Sequence, residues 1–152
     1  MRIIVASDSY KGSLSAKRAA EIMARAVTDV FAAIPVEMPV ADGGEGTLEA
    51  ILAGGKGRYL EAEVTSPLGK RISAQWGMLE DGTAVIEMAQ ASGLTLAPEK
   101  DPMRASSYGT GELMAAALAA GAKRILMGIG GSATNDGGMG MAQALGAVFR
   151  DK

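Results

Sequence analysis

The chain contains no cysteine and no histidine among its 152 residues. Without cysteine it has no disulfide, no thiolate nucleophile and no sulfur-ligated metal. Without histidine, Ser-His-Asp and Cys-His catalysis, imidazole-zinc sites and the H-R-D loop of protein kinases are excluded as well. Acid-base chemistry therefore falls to Asp, Glu, Lys or Tyr. Aromatic residues are scarce, one Trp, three Tyr and two Phe, too few for the stacking platforms that bind single-stranded nucleic acid. Fifteen basic and 17 acidic residues in mixed order give a net charge of −2, which leaves no electrostatic footprint for nucleic acid or anionic lipid. The longest apolar run, Leu113 to Ala122, lies between Glu112 and Lys123, far short of the ~20 residues of a membrane span. Met1 to Val5 is too short for the apolar region of a signal peptide. A cytoplasmic protein with no nucleic-acid or membrane partner is expected.

What is present is a globular composition, 48% hydrophobic and 21% charged, with 21 glycines, about twice the usual share and without a fixed period. Ile3 to Ala6 reads as a short buried parallel strand. From Ser15 to Phe31 apolar residues recur at three and four (Ala19, Ile22, Met23, Ala26, Val30, Phe31), which predicts an amphipathic helix capped by Ser13 or Ser15. Val36 to Val40 reads as a strand, 42–46 as a glycine loop and Thr47 to Ala53 as a helix. Tyr59 to Thr65, Arg71 to Leu79 and Thr83 to Met88 are strand-like and joined by Ser-Pro-Leu-Gly and Glu-Asp-Gly turns, which predicts a three-stranded antiparallel meander. A Pro-bearing loop precedes a helix over Gly111 to Ala120 behind Thr110, ended by Gly121. Lys123 to Ile129 reads as a parallel strand, Met139 to Leu145 as a helix, and Ala147 to Phe149 as the start of another strand. Met23, Met38, Met88, Met114 and Met127 are assigned to packing. The expected class is α/β: a parallel, doubly wound sheet with flanking helices, made by 1–57 and 105–152, with the meander of 58–97 inserted. Because the strand begun at Ala147 has no following element to cover it, a truncated larger enzyme is expected.

Asp42-Gly43-Gly44-Glu45-Gly46 and Asp136-Gly137-Gly138-Met139-Gly140 repeat D-G-G-x-G, each between a predicted strand and a helix. At the carboxyl edge of a parallel sheet, glycines permit close backbone approach and a helix N-terminus offers free N–H groups to an anion. A carboxylate beside such an anion needs a cation between them, so the paired Asp residues point to Mg²⁺. The competing explanation is turn and cap chemistry used twice. Gly130-Gly131-Ser132 is not a G-x-G-x-x-G motif. The Walker sequence is absent, because Lys56 and Lys70 are followed by Gly57 and Arg71. What remains is a loop whose N–H groups, with Ser132, Thr134 and Asn135, suit the oxygens of a small anion or phosphate. Asp8-Ser9-Tyr10-Lys11 adds a carboxylate and an ammonium at the same edge, and Lys11 could pair with a substrate carboxylate or a transferring phosphoryl group.

Four segments carry a resemblance: Ala6 to Ser15 (ASDSYKGSLS), Pro39 to Thr47 (PVADGGEGT), Glu87 to Leu94 (EMAQASGL) and Gly128 to Gly138 (GIGGSATNDGG). In them the chain resembles the bacterial glycerate kinase family, over its N-terminal portion only, with Ser7 where many members have Pro. The resemblance implies an ATP-dependent, Mg²⁺-assisted phosphorylation of D-glycerate, with the 2-phosphate favoured over the 3-phosphate. It also implies a two-domain enzyme of which 1–152 is the first part, and little activity for this stretch by itself; a homodimer is an open alternative for the assembly. Asp42 and Asp136 are then expected as metal ligands or hydroxyl base, with Lys11 as a third catalytic residue. Asp8, Ser9, Lys11, Gly43, Gly44, Glu45 and Asn135 are expected at the substrate, and Gly130, Gly131, Ser132 and Thr134 at phosphate. The competing functions are a non-catalytic module that holds a small anion, and another α/β phosphotransferase.

Overall fold

The computed structural model describes residues 1–10, 13–54 and 56–150. Strand β1 (Arg2–Val5), helix α1 (Ala16–Phe31) and strand β2 (Ile34–Glu37) form a crossover unit in which the two strands pair in parallel, Arg2 opposite Ile34 and Val5 opposite Glu37. Ser15 caps α1, its Oγ accepting from Arg18 N at 3.2 Å. Pro35 lies inside β2 rather than before it, which is tolerable because β2 is an edge strand with a side that needs no donor.

Helix α2 (Thr47–Gly54) leads to a second sheet of four strands in the order β3 (Gly57–Thr65), β4 (Arg71–Leu79), β5 (Thr83–Glu87), β6 (Arg124–Gly128). β3, β4 and β5 are the antiparallel meander, with Thr65 opposite Arg71 across the Ser66-Pro67-Leu68-Gly69 turn. Between β5 and β6 run the short α3 (Ala89–Ser92), a 3₁₀ turn at Leu94–Leu96 and helix α4 (Tyr108–Ala119); α5 (Met139–Ala144) follows β6. β5 and β6 pair in parallel, so both end at the same edge, with Glu87 opposite Gly128. The main core lies between this sheet and α4: Val64, Ala74, Trp76, Ala84, Ile86, Ala91, Leu113 and Ala117.

The class is the mixed α/β architecture with parallel pairing, flanking helices and a meander, but the strands group differently from expectation. The strand of 105–152 joins the meander and not β1–β2; periodicity reports that a strand is buried, not which neighbour buries it. Ala147 to Phe149 forms no strand, and α3 occupies part of the stretch read as loop. Of the expected apolar stripe of α1 only Ala19 is buried. Ala16, Ala19, Ala20 and Ala24 pack inward, so the small residues make the close contact, while Val30 and Phe31 are 72% and 61% exposed. Met23 and Met38 are likewise exposed, whereas Met114 and Met127 pack against the core.

Ile4 and Ile34, 65% and 63% exposed, add to this apolar surface on a parallel strand pair, a kind of sheet that is ordinarily covered on both faces. The 152-residue chain should therefore self-associate, and replacing Ile4 and Phe31 with Lys should shift it towards monomer. Light scattering across a concentration series checks this, and a monomer at the highest concentration without the substitutions contradicts it.

Candidate functional site

The carboxyl ends of β1 and β5 and the N-terminus of α2 surround a polar cavity of about 700 Å³. The first wall is the loop after β1. Met38 N and Val40 N donate to Val5 O and Ser7 O, which ties this loop to the segment leaving β2. Tyr10 and Leu14 then bond each other across the loop, Tyr10 N to Leu14 O at 2.8 Å and Leu14 N to Tyr10 O at 3.0 Å. Ser9, Tyr10, Ser13 and Ser15 border the cavity from this side, Glu45 and Gly46 from just before α2, Tyr59, Gln75 and Glu87 from the second sheet, and Gln90 from α3. Burial, and then the Glu49 and Glu87 carboxylates, push the Tyr59 phenol above its ordinary value, which keeps it a neutral hydroxyl donor.

The glycine loop after β2 meets the end of β6 backbone to backbone. Gly130 N donates to Gly43 O at 2.9 Å. A Cβ on Gly130 would lie 2.7 Å from Gly44 Cα and 2.8 Å from Gly44 N, and one on Gly128 would collide with Gly43 O. Gly43 also has a φ of +92°, a conformation that side chains resist. The glycines of both expected motifs thus serve each other.

The two Asp residues are not equivalent. Asp42 is exposed, and one of its oxygens accepts from Gly44 N at 3.0 Å in a local turn. Asp136 is consumed internally: Oδ2 accepts from Ser107 N and Ser107 Oγ, both at 2.8 Å, and from Gly140 N at 3.1 Å, while Oδ1 accepts from Gly138 N at 3.1 Å. Ser107 Oγ in turn accepts from Met141 N at 2.9 Å, so one carboxylate ties the starts of α4 and α5 together. Burial opposes the charge of Asp136, but these donors outweigh it and hold the carboxyl below its ordinary value. With both oxygens committed, Asp136 does not fit a Mg²⁺ shared with Asp42. Among the described residues no group of three or more carboxylates could hold a metal.

The anion cradle is also largely occupied from within. Gly130 N is taken by Gly43 O, Ala133 N by Ser92 O, and Thr134 N by Ser132 Oγ, while Leu94 N donates to Gly131 O. Gly131 and Asn135 remain exposed. Of the expected substrate residues, Ser9 and Glu45 share the cavity. Gly43 and Gly44 lie at the Gly130 contact. Asp8 turns to its own neighbour, Oδ1 accepting from Ser9 N. Lys11 lies outside the described residues. Sequence reasoning passed over Glu87 and Gln90, although a Glu closing an apolar strand at its carboxyl end was a readable signal.

The glycerate kinase family model matches residues 3–152. The chain is 54% identical to the glycerate 2-kinase of Escherichia coli (strain K12) and to the glycerate kinase of Bacillus subtilis (strain 168), in each case over 99% of this chain and 41% of the relative. A crystal structure of a glycerate kinase 2 from Salmonella typhimurium LT2 superposes with a TM-score of 0.82 at 50% identity, covering 99% of this chain and 41% of that one. The chain thus spans about two fifths of the length of the curated relatives it matches.

Asp136→Asn, which places an amide against N–H donors, should lose about 2 kcal/mol of stability at neutral pH, while Asp42→Asn should lose little. Because the folded carboxyl titrates below its ordinary value, the contribution of Asp136 is complete above pH about 4 and fades as pH falls through the folded value. Chemical denaturation from pH 7 to 3 should show the gap between wild type and Asp136→Asn closing. Gly130→Ala should cost about 1–3 kcal/mol, whereas Gly54→Ala, which has open space around it, should not.

Proposed function

The chain belongs to the glycerate kinase family, and from that premise we propose that it forms the acceptor-binding part of an ATP-dependent kinase acting on D-glycerate. The observation that carries this reading is the cavity at the carboxyl edge, whose lining includes Ser9, Tyr10, Ser13, Glu45, Gln75 and Gln90, residue types suited to a small molecule rich in hydroxyls. Lys11, between Ser9 and Ser13 in sequence, supplies the charge for the substrate carboxylate. In the transfer, an acceptor hydroxyl oxygen bonds the γ-phosphorus of ATP as the bond to the bridging oxygen breaks and ADP departs. The hydroxyl proton goes to a carboxylate. Asp42, with an oxygen to spare, takes this role in preference to Asp136, which positions α4 and α5 instead. The 2-phosphate is the favoured product, in keeping with the E. coli relative's description as a glycerate 2-kinase.

The relatives carry more than twice the matched length, so turnover is expected from a full-length protein in which residues 1–152 replace the matching segment of the E. coli relative, and little from the 152-residue stretch by itself. A coupled ADP-release assay of the chimaera should respond to D-glycerate over L-glycerate and glycerol, with phosphorus NMR showing the 2-phosphate. Equal rates on glycerol, or rates by the 152-residue stretch matching the chimaera, contradict the reading. Asp42→Asn in the chimaera should lower turnover on the order of a hundredfold.

A further inference from the structure

Gln90 is held in one orientation. Its Nε2 donates to Glu87 Oε2 at 3.2 Å, and because a carboxylate accepts but never donates, the amide cannot turn over without setting two acceptors face to face. Its Oε1 is therefore directed away from Glu87 as an acceptor. Glu87 is itself fixed: it is 2% exposed, and its Oε1 accepts from Leu48 N, at the start of α2, at 2.6 Å. Both residues line the same cavity as Ser9 and Glu45.

A buried carboxylate is a costly way to satisfy one helix N–H. A hydroxyl cap would serve, yet Thr47 Oγ1 donates to Gly44 O at 2.8 Å instead. What the charge adds over a neutral cap is the fixed polarity of the neighbouring amide. We propose that Gln90 Oε1 reads a hydroxyl of the acceptor and that Glu87 is the positioning residue that keeps this oxygen presented. The inference rests on the reading that this cavity takes glycerate, and it adds the group that discriminates among small hydroxy acids. A site built to bond a hydroxyl rejects the analogue that lacks it, because the site's own polar atom is then left unpaired.

The test is the affinity of the 152-residue chain for three probes by NMR titration: D-glycerate, D-lactate, which lacks the C3 hydroxyl, and 3-hydroxypropionate, which lacks the C2 hydroxyl. Wild type should bind D-glycerate at least tenfold more tightly than one of the two analogues. Gln90→Met, close to isosteric, should weaken D-glycerate about tenfold, down to the level of that analogue, and leave the analogue's own affinity unchanged; Gln90→Leu should do the same. Glu87→Gln, which frees the amide to turn, should give a similar loss. The double variant should be no worse than Gln90→Met, because the two residues act as one unit. Thermal melting of each variant reports folding separately. Additive losses, or D-glycerate affinity unchanged in Gln90→Met, overturn the inference while leaving the glycerate reading in place. Wild type that binds none of the probes overturns both.

Discussion

A hydrogen bond between two glycines, Gly130 N to Gly43 O at 2.9 Å, sets the geometry on which the carboxyl edge depends. One glycine follows β2 of the small sheet and the other follows β6 of the large one. Their main chains meet without side chains between them, at a separation that a Cβ on Gly128 or Gly130 would forbid. The bond itself is worth about 1 kcal/mol. Its larger effect is steric, since it fixes where the chain enters α2 and hence where Glu45 and Gly46 stand beside the cavity.

Two carboxylates then distribute the polar load around that contact. Glu87, at the end of β5, reaches Leu48 N on α2, 39 residues away in sequence. Leu48 itself is buried where Gly77 leaves room, since a Cβ there would lie 2.7 Å from Leu48 Cδ1. Asp136 does the equivalent work for α4 and α5 through Ser107 and the Gly138 and Gly140 amides. In each case a helix start that would otherwise present unpaired N–H groups is satisfied by a charge, from a distant element at α2 and α4 and from the preceding loop at α5. The identical D-G-G-x-G strings therefore have different fates. Asp42 makes an exposed turn, Asp136 an internal cap, and the resemblance between the motifs lies in their backbone chemistry.

Much of the local structure was legible. The meander followed from strands separated by Pro-Leu-Gly and Asp-Gly turns, and β4 (Arg71–Leu79) has the expected limits. The start of α1 followed from Ser15, and the helices after both glycine loops were placed correctly. What was not legible is relational. Nothing in Arg124 to Gly128 says that its partner is β5 and not β1. The periodicity of α1 identifies an apolar stripe, yet the alanines make the close contact and Val30 and Phe31 face outward. Ser9 and Glu45, expected at the substrate from their places at strand and helix ends, border the cavity. Glu87 carried a readable signal as a carboxylate closing an apolar strand, but its bond to Leu48 N shows only when α2 is seen beside it, and Gln90 is drawn in through Glu87. Pairing within the expected cradle was illegible for a related reason: whether a loop N–H is free depends on what packs against it, and here the Gly43 and Ser92 carbonyls take the Gly130 and Ala133 amides.

Native-state hydrogen exchange at the Gly130 amide tests the central claim most directly. If the contact with Gly43 is what joins the glycine loop to the end of β6, this amide exchanges only when the chain unfolds globally, with an opening free energy equal to that measured by denaturant and matching those of β5 and β6 amides. Exchange of the Gly130 amide at the rate of an exposed loop residue, with β5 and β6 still protected, would contradict it.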